Sequence, residues 1–457
     1  MSADTSTDAG NAAVITTPRP GAAITEWHPE DLAFWEREGS RTARRNLVLS
    51  IFAEHLGFSV WSLWSVFVLF LGPAYHVDAA GKFFLTTVPT VVGAVLRLPY
   101  TFAVARFGGR NWTVFSATLL LVPCVLAAVV LKPGVSYSTL MIIAAVAGVG
   151  GGNFASSMAN INAFYPERLK GAALGLNAGG GNIGVAVVQL IGLLVLSTAG
   201  IAHPRLILAV YIPLIVVAAL CAALFMNNLT QMRNDKRGMR DAARDAHSWV
   251  MSLLYIGTFG SFIGYSFAFG QVLQVQFKET PKQAADLVWL GPLLGSLIRP
   301  VGGTLADRLG GARVTFWNFA LMTASAALVL TASLQKSFAL FVTGFILLFA
   351  FSGIGNGSAY KMIPAIFRAK ADRAVDGGAD PAAARRESRR LAGALIGIAA
   401  AVGAFGGALV NFAFRESFLT YKSGNAAYIA FLAFYALCFA VTWAVYLRPR
   451  AGRLSGV

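Results

Sequence analysis

The sequence predicts an all-α polytopic membrane protein with twelve transmembrane helices in two pseudo-symmetric six-helix halves. Three observations predict it. Hydrophobic residues make up 56% of the 457, charged residues only 13%, and the mean hydropathy is +0.63, whereas soluble domains carry about a quarter charged residues. The apolar residues fall into runs of about 20, the length that crosses a bilayer as a helix with its backbone hydrogen bonds satisfied internally. The chain also repeats itself. Arg97 falls on Arg299 at an offset of 202, together with Arg106 on Arg308, Gly108-Gly109 on Gly310-Gly311 and Thr113 on Thr315.

The elements follow in order. Residues 1–46 read as a cytoplasmic N-terminal segment without the charged and apolar regions of a cleaved signal peptide. Its stretch Trp27–Trp35 reads as a short amphipathic turn or helix. Residues 47–226 form the first half, with spans at 47–71, 83–105, 112–131, 138–164, 171–197 and 206–226. The polar loop 227–248 links it to the second half, 249–447, with spans at 249–277, 285–306, 314–334, 338–366, 391–413 and 426–447. A cytoplasmic tail, 448–457, follows. Gly152-Asn153 of the fourth span falls on Gly355-Asn356 of the tenth. In the fifth and eleventh, Gly175, Gly181 and Gly184 fall on Gly397, Gly403 and Gly406; the offset has grown to 222 through the charged insertion Arg368–Arg390. Duplicated halves are a mark of secondary transporters, whose substrate site lies between the repeats near mid-membrane.

The net charge of +16 is topological. With the N-terminus inside, the cytoplasmic segments hold 26 Lys and Arg and the opposite side holds eight, a bias that fixes orientation by the positive-inside rule. Anionic membrane lipids suit this face, and a nucleic-acid partner is not expected. Cys124, Cys221 and Cys438 sit singly in separate spans and the five histidines are scattered, so no metal site, cofactor or catalytic constellation is expected and the chain does not read as an enzyme. The termini are too short to hold a signalling domain.

Of the Lys and Arg, three remain inside spans, Arg97, Arg299 and Lys361. A guanidinium keeps its charge at physiological pH and is costly at mid-bilayer, so two at equivalent points suggest a positive centre for an anion; a structural pairing with a buried carboxylate is the alternative. Glycines crowd Ala147–Gly152 and Gly171–Gly184, and Asn153, Asn160, Asn162, Asn177, Asn182 and Asn356 lie among or near them. Close helix packing explains the glycines, alone or with a sliding surface beside substrate. Buried amides need partners, and an amide NH2 donates well to an oxyanion.

The loop Gly302-Gly-Thr-Leu-Ala-Asp-Arg-Leu-Gly-Gly-Ala-Arg313 resembles the signature between spans two and three, and eight and nine, of the major facilitator superfamily. The first-half copy, Arg106–Arg110, lacks the aspartate that Asp307 supplies. The resemblance implies that Asp307 and Arg308 meet neighbouring helix ends and hold one conformation closed, a gating role. More specifically, Gly152–Gly184 resembles the first nitrate signature of the NarK-type nitrate/nitrite porters, and Gly353–Pro364 the second; the likeness runs from Trp27–Trp35 through all twelve spans. It implies that Arg97 and Arg299 grip the anion from opposite halves, that Phe154 and Phe259 sandwich it, and that Tyr255 and Asn182 donate hydrogen bonds. A flat, weakly hydrated anion suits planar guanidinium forks and aromatic walls.

The chain departs from the antiporter-type members at Glu54 and His55 in the first span, at Lys361, where those members have a neutral glutamine, and at Ala400, where a serine is expected to contact substrate. Glu54 reads either as a proton-coupling group or as a structural partner of Lys361; Lys361 and His55 are further coupling candidates, His55 for its ordinary pKa near neutrality. The expected function is transport of nitrate, and of nitrite, across the bacterial inner (cytoplasmic) membrane by a monomer with both termini cytoplasmic. Proton-coupled uptake is the preferred mode, with two or more protons per anion needed to make the step electrically inward. Electroneutral nitrate/nitrite exchange and an anion channel are the alternatives.

Overall fold

The computed structural model describes residues 19–449, 454, 456 and 457. Residues 1–18, most of the stretch expected to lack a signal peptide, and 450–453 and 455 of the tail lie outside them. Among the described residues, twelve helical stretches are long and apolar enough to cross a membrane: α1 Leu32–Phe70, α2 Ala79–Phe107, α3 Gly109–Val130, α4 Tyr137–Phe164, α5 Glu167–Thr198, α6 Arg205–Phe225, α7 Ala246–Phe277, α8 Pro281–Leu309, α9 Gly311–Leu334, α10 Phe338–Asp376, α11 Pro381–Tyr421 and α12 Asn425–Leu447.

Three of these helices, α1, α10 and α11, extend well past the hydropathy reading. α1 begins at Leu32, not near 47, because Asp31 caps it by accepting from the Ala33 and Phe34 amides at 2.9 and 3.2 Å. The aromatic entry segment then packs inward: Trp27 donates to the Phe164 carbonyl at 3.1 Å, and its ring meets Phe34 and Phe164 edge-on. The insertion after the tenth span is also mostly helical, since α10 runs on to Asp376 and α11 starts at Pro381. These polar ends project past the apolar runs, so hydropathy alone could not find them.

The linker is folded rather than loose. Its helix Lys236–Arg244 is held to α11 by Arg390, which reaches Asp235 at 2.6 Å and Asp241 at 2.9 Å. The guanidinium hydrogen bond holds the Asp235 carboxyl below the usual carboxylate range. Asn228, paired through the short parallel strands Ala23–Ile24 and Asn228–Leu229, accepts from the Arg110 and Asn111 amides at the start of α3 at 2.9 and 3.3 Å. The repeat is visible in the backbone. Gly108 and Gly310 turn their halves between α2 and α3 and between α8 and α9 at φ 87° and 89°, a left-handed region that favours glycine.

The two halves meet on the side away from the termini. Phe83 of α2 stacks on Phe414 and Phe418 of α11, and Thr86 donates to Asn411 at 2.9 Å. Gln189 of α5 donates to the Ser266 carbonyl of α7 at 2.8 Å, and Gln271 of α7 to the Ala79 carbonyl at 2.6 Å. On the terminal side the arrangement is open. A Cβ built on Gly171, Gly175 or Gly179 of α5, or on Gly393 of α11, meets nothing within 4 Å among the described residues. The glycine-rich stretch of α5 therefore divides in two, because Gly180, Gly181 and Gly184 press against Ile51, Glu54 and His55 of α1.

Candidate substrate-binding site

Arg97 of α2 is fully buried and Arg299 of α8 is 6% exposed. Each precedes a proline within its helix, Pro99 and Pro300, which removes a backbone donor and loosens the helix there. Arg97 spends two of its donors on carbonyls. Nε reaches Gly151 of α4 at 3.2 Å, and Nη1 reaches Ala400 of α11 at 2.8 Å, across the boundary between the halves. Nη2 is buried with no partner among the described residues. Arg299 Nη2 donates to the Tyr255 hydroxyl at 3.3 Å, and its Nη1 is likewise buried and unpartnered. An orphaned buried donor on a cation costs more than one on a neutral group. Two such donors, one from each half, are left open in this centre.

Aromatic rings wall the centre. The Arg97 guanidinium carbon lies 4.6 Å from the Phe154 ring, 5.0 Å from Phe259 and 5.4 Å from Trp61. Phe154 and Phe259 stack with centroids 6.1 Å apart at 29°. A flat ion held between two faces at contact needs about 7 Å, so the sandwich expected of this pair is closed in this conformation. Phe259 lies in the π-helical turn Ile256–Gly260 of α7, and Tyr255 immediately precedes it, stacked on Phe259 at 5.3 Å. Such turns widen a helix locally and recur at functional sites; here the turn brings Phe259 against Arg97 and lets Tyr255 reach Arg299.

Glu54 of α1 is 1% exposed. Its Oε2 accepts from Asn177 Nδ2 at 2.6 Å, and Asn177 is in turn bonded to Ser157 at 2.7 Å. Its Oε1 has no partner among the described residues. Both arginines lie within electrostatic range of the carboxyl. Gly181 gives it room, since a Cβ there would run into Oε1. Asn182, next in the chain, is buried with both amide atoms unpartnered among the described residues, as is Asn153 beside Phe154.

Other expected members go elsewhere. Lys361 does not meet Glu54; it pairs with Asp307 at 2.8 Å, and both side chains are about half exposed. That pair ties α8 to α10 within one half and does not bridge the halves. Arg308 is exposed. His55 faces away from the centre: its Nδ1 lies 3.2 Å from the Gly180 carbonyl, and its ring borders a groove between α1, α5 and α6. Tyr360, not singled out in the sequence, does join the centre. Its hydroxyl has no partner among the described residues, and its ring lies 5.6 Å from the Arg299 guanidinium. It stands one residue before Lys361 in the second signature, and nothing in its spacing marks it apart from other aromatic residues of the spans. Ala400 contributes a backbone carbonyl to Arg97 in place of a side-chain hydroxyl.

The family model for the Major Facilitator Superfamily matches residues 47–409. The nitrate/nitrite transporter NarU of Salmonella typhimurium is 39% identical over 449 residues, covering 93% of this chain and 96% of that protein. The probable nitrate/nitrite antiporter NarK2 of Thermus thermophilus is 33% identical, covering 94% and 98%. This chain is a member of the NarK-type porter family of the major facilitator superfamily. Among solved structures, a partially occluded inward-open form of the Escherichia coli xylose transporter XylE shares the fold, with a TM-score of 0.65 at 12% identity over 88% of this chain and 98% of that one. Within this family fold, Arg97 and Arg299 occupy equivalent positions of the two halves and reach the same centre.

Asn177 donates to the Glu54 carboxyl, and the Ser157 hydroxyl also lies within hydrogen-bonding reach of it. Asn177→Ala is expected to destabilise by about 1–3 kcal/mol, the cost of a stranded buried polar group. The loss should be smaller in a Glu54→Gln background. Thermal unfolding of the four proteins in detergent closes this cycle; equal losses in both backgrounds would mean that Asn177 does not act through the carboxyl.

Proposed function

We propose that this chain carries nitrate, and nitrite, by alternating access, with nitrate uptake coupled to protons through Glu54. The observation that carries the reading is the pair of buried guanidiniums, one from each half, each with an unpartnered nitrogen in an aromatic-walled centre. The names of the Salmonella and Thermus relatives supply the anion. In the proposed site Arg97 Nη2 and Arg299 Nη1 donate to the anion, Phe154 and Phe259 stack on its faces when they part, and Asn182, Tyr255 and Tyr360 donate at its edge. The protein works as a monomer in the bacterial inner membrane with both termini cytoplasmic, which makes the open side of this conformation the inward one.

Coupling follows from shared charge. An anion between the arginines competes with the Glu54 carboxylate for the same positive field, so anion binding favours protonation of Glu54. By linkage, protonation favours anion binding to the same extent. Glu54 accounts for one proton per anion, which makes the step electroneutral and responsive to the pH difference; a second proton would need another carrier. With Lys361 engaged by Asp307, Glu54 has no fixed lysine partner to hold it ionised through the cycle. The Thermus relative's name favours a second reading, nitrate/nitrite exchange on the same arginines.

Uptake of nitrate into proteoliposomes with an imposed pH gradient and no internal nitrite separates the two. The wild-type protein should take up nitrate in proportion to the gradient. Glu54→Gln should lose that response while keeping nitrate/nitrite counterflow. Wild-type uptake that ignores the gradient and appears only with internal nitrite would establish exchange instead.

Arg97→Lys keeps the charge but loses the planar fork that reaches Gly151, Ala400 and the open centre at once. Loss of one charge-assisted bond of about 1.5–3 kcal/mol should raise the half-saturating nitrate concentration roughly 10- to 100-fold in the same assay. An unchanged value would remove Arg97 from the anion site.

A further inference from the structure

We infer that α1 carries a binding site for one acidic phospholipid on the membrane face opposite the substrate centre. Arg41, Arg44, Arg45, Val48, Leu49 and Phe52 recur at i, i+3, i+4, i+7, i+8 and i+11, which places them on one helix stripe. The stripe is basic at its terminal end and apolar below. The structure shows a groove at each part. The upper one, of about 690 Å³, is lined by Ser40, the three arginines, Val48, Leu49 and Phe225 of α6, a size in the range of about 300–1,000 Å³ typical of small-molecule sites. The lower one, of about 470 Å³, shares Val48 and continues along Ile51, Phe52, Val187, Ile191 and Leu214, ending at His55.

The two grooves together match the shape of a lipid. Ten residues separate Arg45 from His55, about 15 Å of helix, which is half of a hydrocarbon core about 30 Å thick. A headgroup phosphate among the arginines would therefore send an acyl chain down the lower groove to the depth of mid-membrane. No carboxylate is among the described residues lining either groove. Neither Arg41 nor Arg44 forms an ion pair among the described residues, and Arg45 Nε is buried without a partner while its Nη2 is held by Asn227 at 2.7 Å. Val48 and Phe225 are 56% and 45% exposed, leaving apolar surface for a chain to cover. Basic pockets beside membrane helices are suited to anionic headgroups, and the apolar groove selects a lipid over a free phosphate. The lower groove lies against the back of Glu54's helix, since His55 at its end adjoins Glu54.

Native mass spectrometry of the full chain tests this with phosphatidylglycerol and phosphatidylcholine of identical acyl chains, and with glycerol phosphate as the headgroup alone. The wild-type protein should retain phosphatidylglycerol at least about tenfold more tightly than phosphatidylcholine, a difference of about 1.4 kcal/mol, and glycerol phosphate should not compete. Arg41→Gln with Arg44→Gln should erase the preference. Val48→Trp, which fills the junction and leaves the charges, should weaken both lipids. Arg385→Gln with Arg386→Gln removes equal charge from the start of α11 and should leave the preference intact. The inference is overturned if that control erases the preference too, if glycerol phosphate competes as well as the lipid, or if the spectra show a dimer that Val48→Trp dissociates, which would assign the groove to a second copy.

Discussion

Two guanidiniums held in the centre of a membrane protein set the constraint on which the other features depend. Each must keep its charge, and each must find acceptors where water is scarce. Arg97 finds two carbonyls and three aromatic faces, and Arg299 finds a tyrosine hydroxyl and a tyrosine ring. These contacts satisfy part of the fork and leave one nitrogen on each side open. Glu54 is the nearest source of negative charge the site owns, but it is bonded to Asn177 and not to either arginine. The positive field is thus only partly compensated, which is the ground for the proposed anion site.

The same constraint explains the local backbone. Arg97 bonds to Gly151, where a Cβ would run into Gly93 of α2 and Trp61 of α1, and to Ala400 in the opposite half. The π-helical turn of α7 brings Phe259 and Tyr255 to the two arginines from a single segment. Because Arg97 touches both halves at mid-depth while the aromatic contacts of Phe83, Phe414 and Phe418 join them on one side, the site is poised where a rocking motion would change its surroundings most. The unoccupied surfaces of Gly171, Gly175 and Gly393 lie on the open side, where closure would bring helices together.

Much of this was legible in the sequence because it rests on periodicity and repetition. The twelve apolar runs, the paired arginines and the glycine–asparagine stretches are properties of spacing. What spacing could not supply was direction around a helix. Lys361 stands in an apolar run, yet its face of α10 turns it to Asp307 at the end of α8. His55 follows Glu54 by one residue, about 100° around the helix, and so meets the groove outside while Glu54 meets Asn177 inside. Tyr360 was hidden among the other aromatic residues of the spans, and the helical ends of α1, α10 and α11 were hidden because their residues are polar. Hydropathy reports how deep a residue sits, whereas partners depend on packing between distant segments.

The central claim is that an anion and the Glu54 proton share one positive field. Calorimetric titration of nitrate into the purified protein, repeated in two buffers of different ionisation enthalpy at a pH where Glu54 is partly ionised, counts the protons exchanged on binding. The account predicts net proton uptake of up to about one per bound nitrate, abolished in Glu54→Gln while nitrate still binds. Nitrate binding with the same apparent enthalpy in both buffers across the pH range would contradict it, leaving the arginines an anion site that moves no proton.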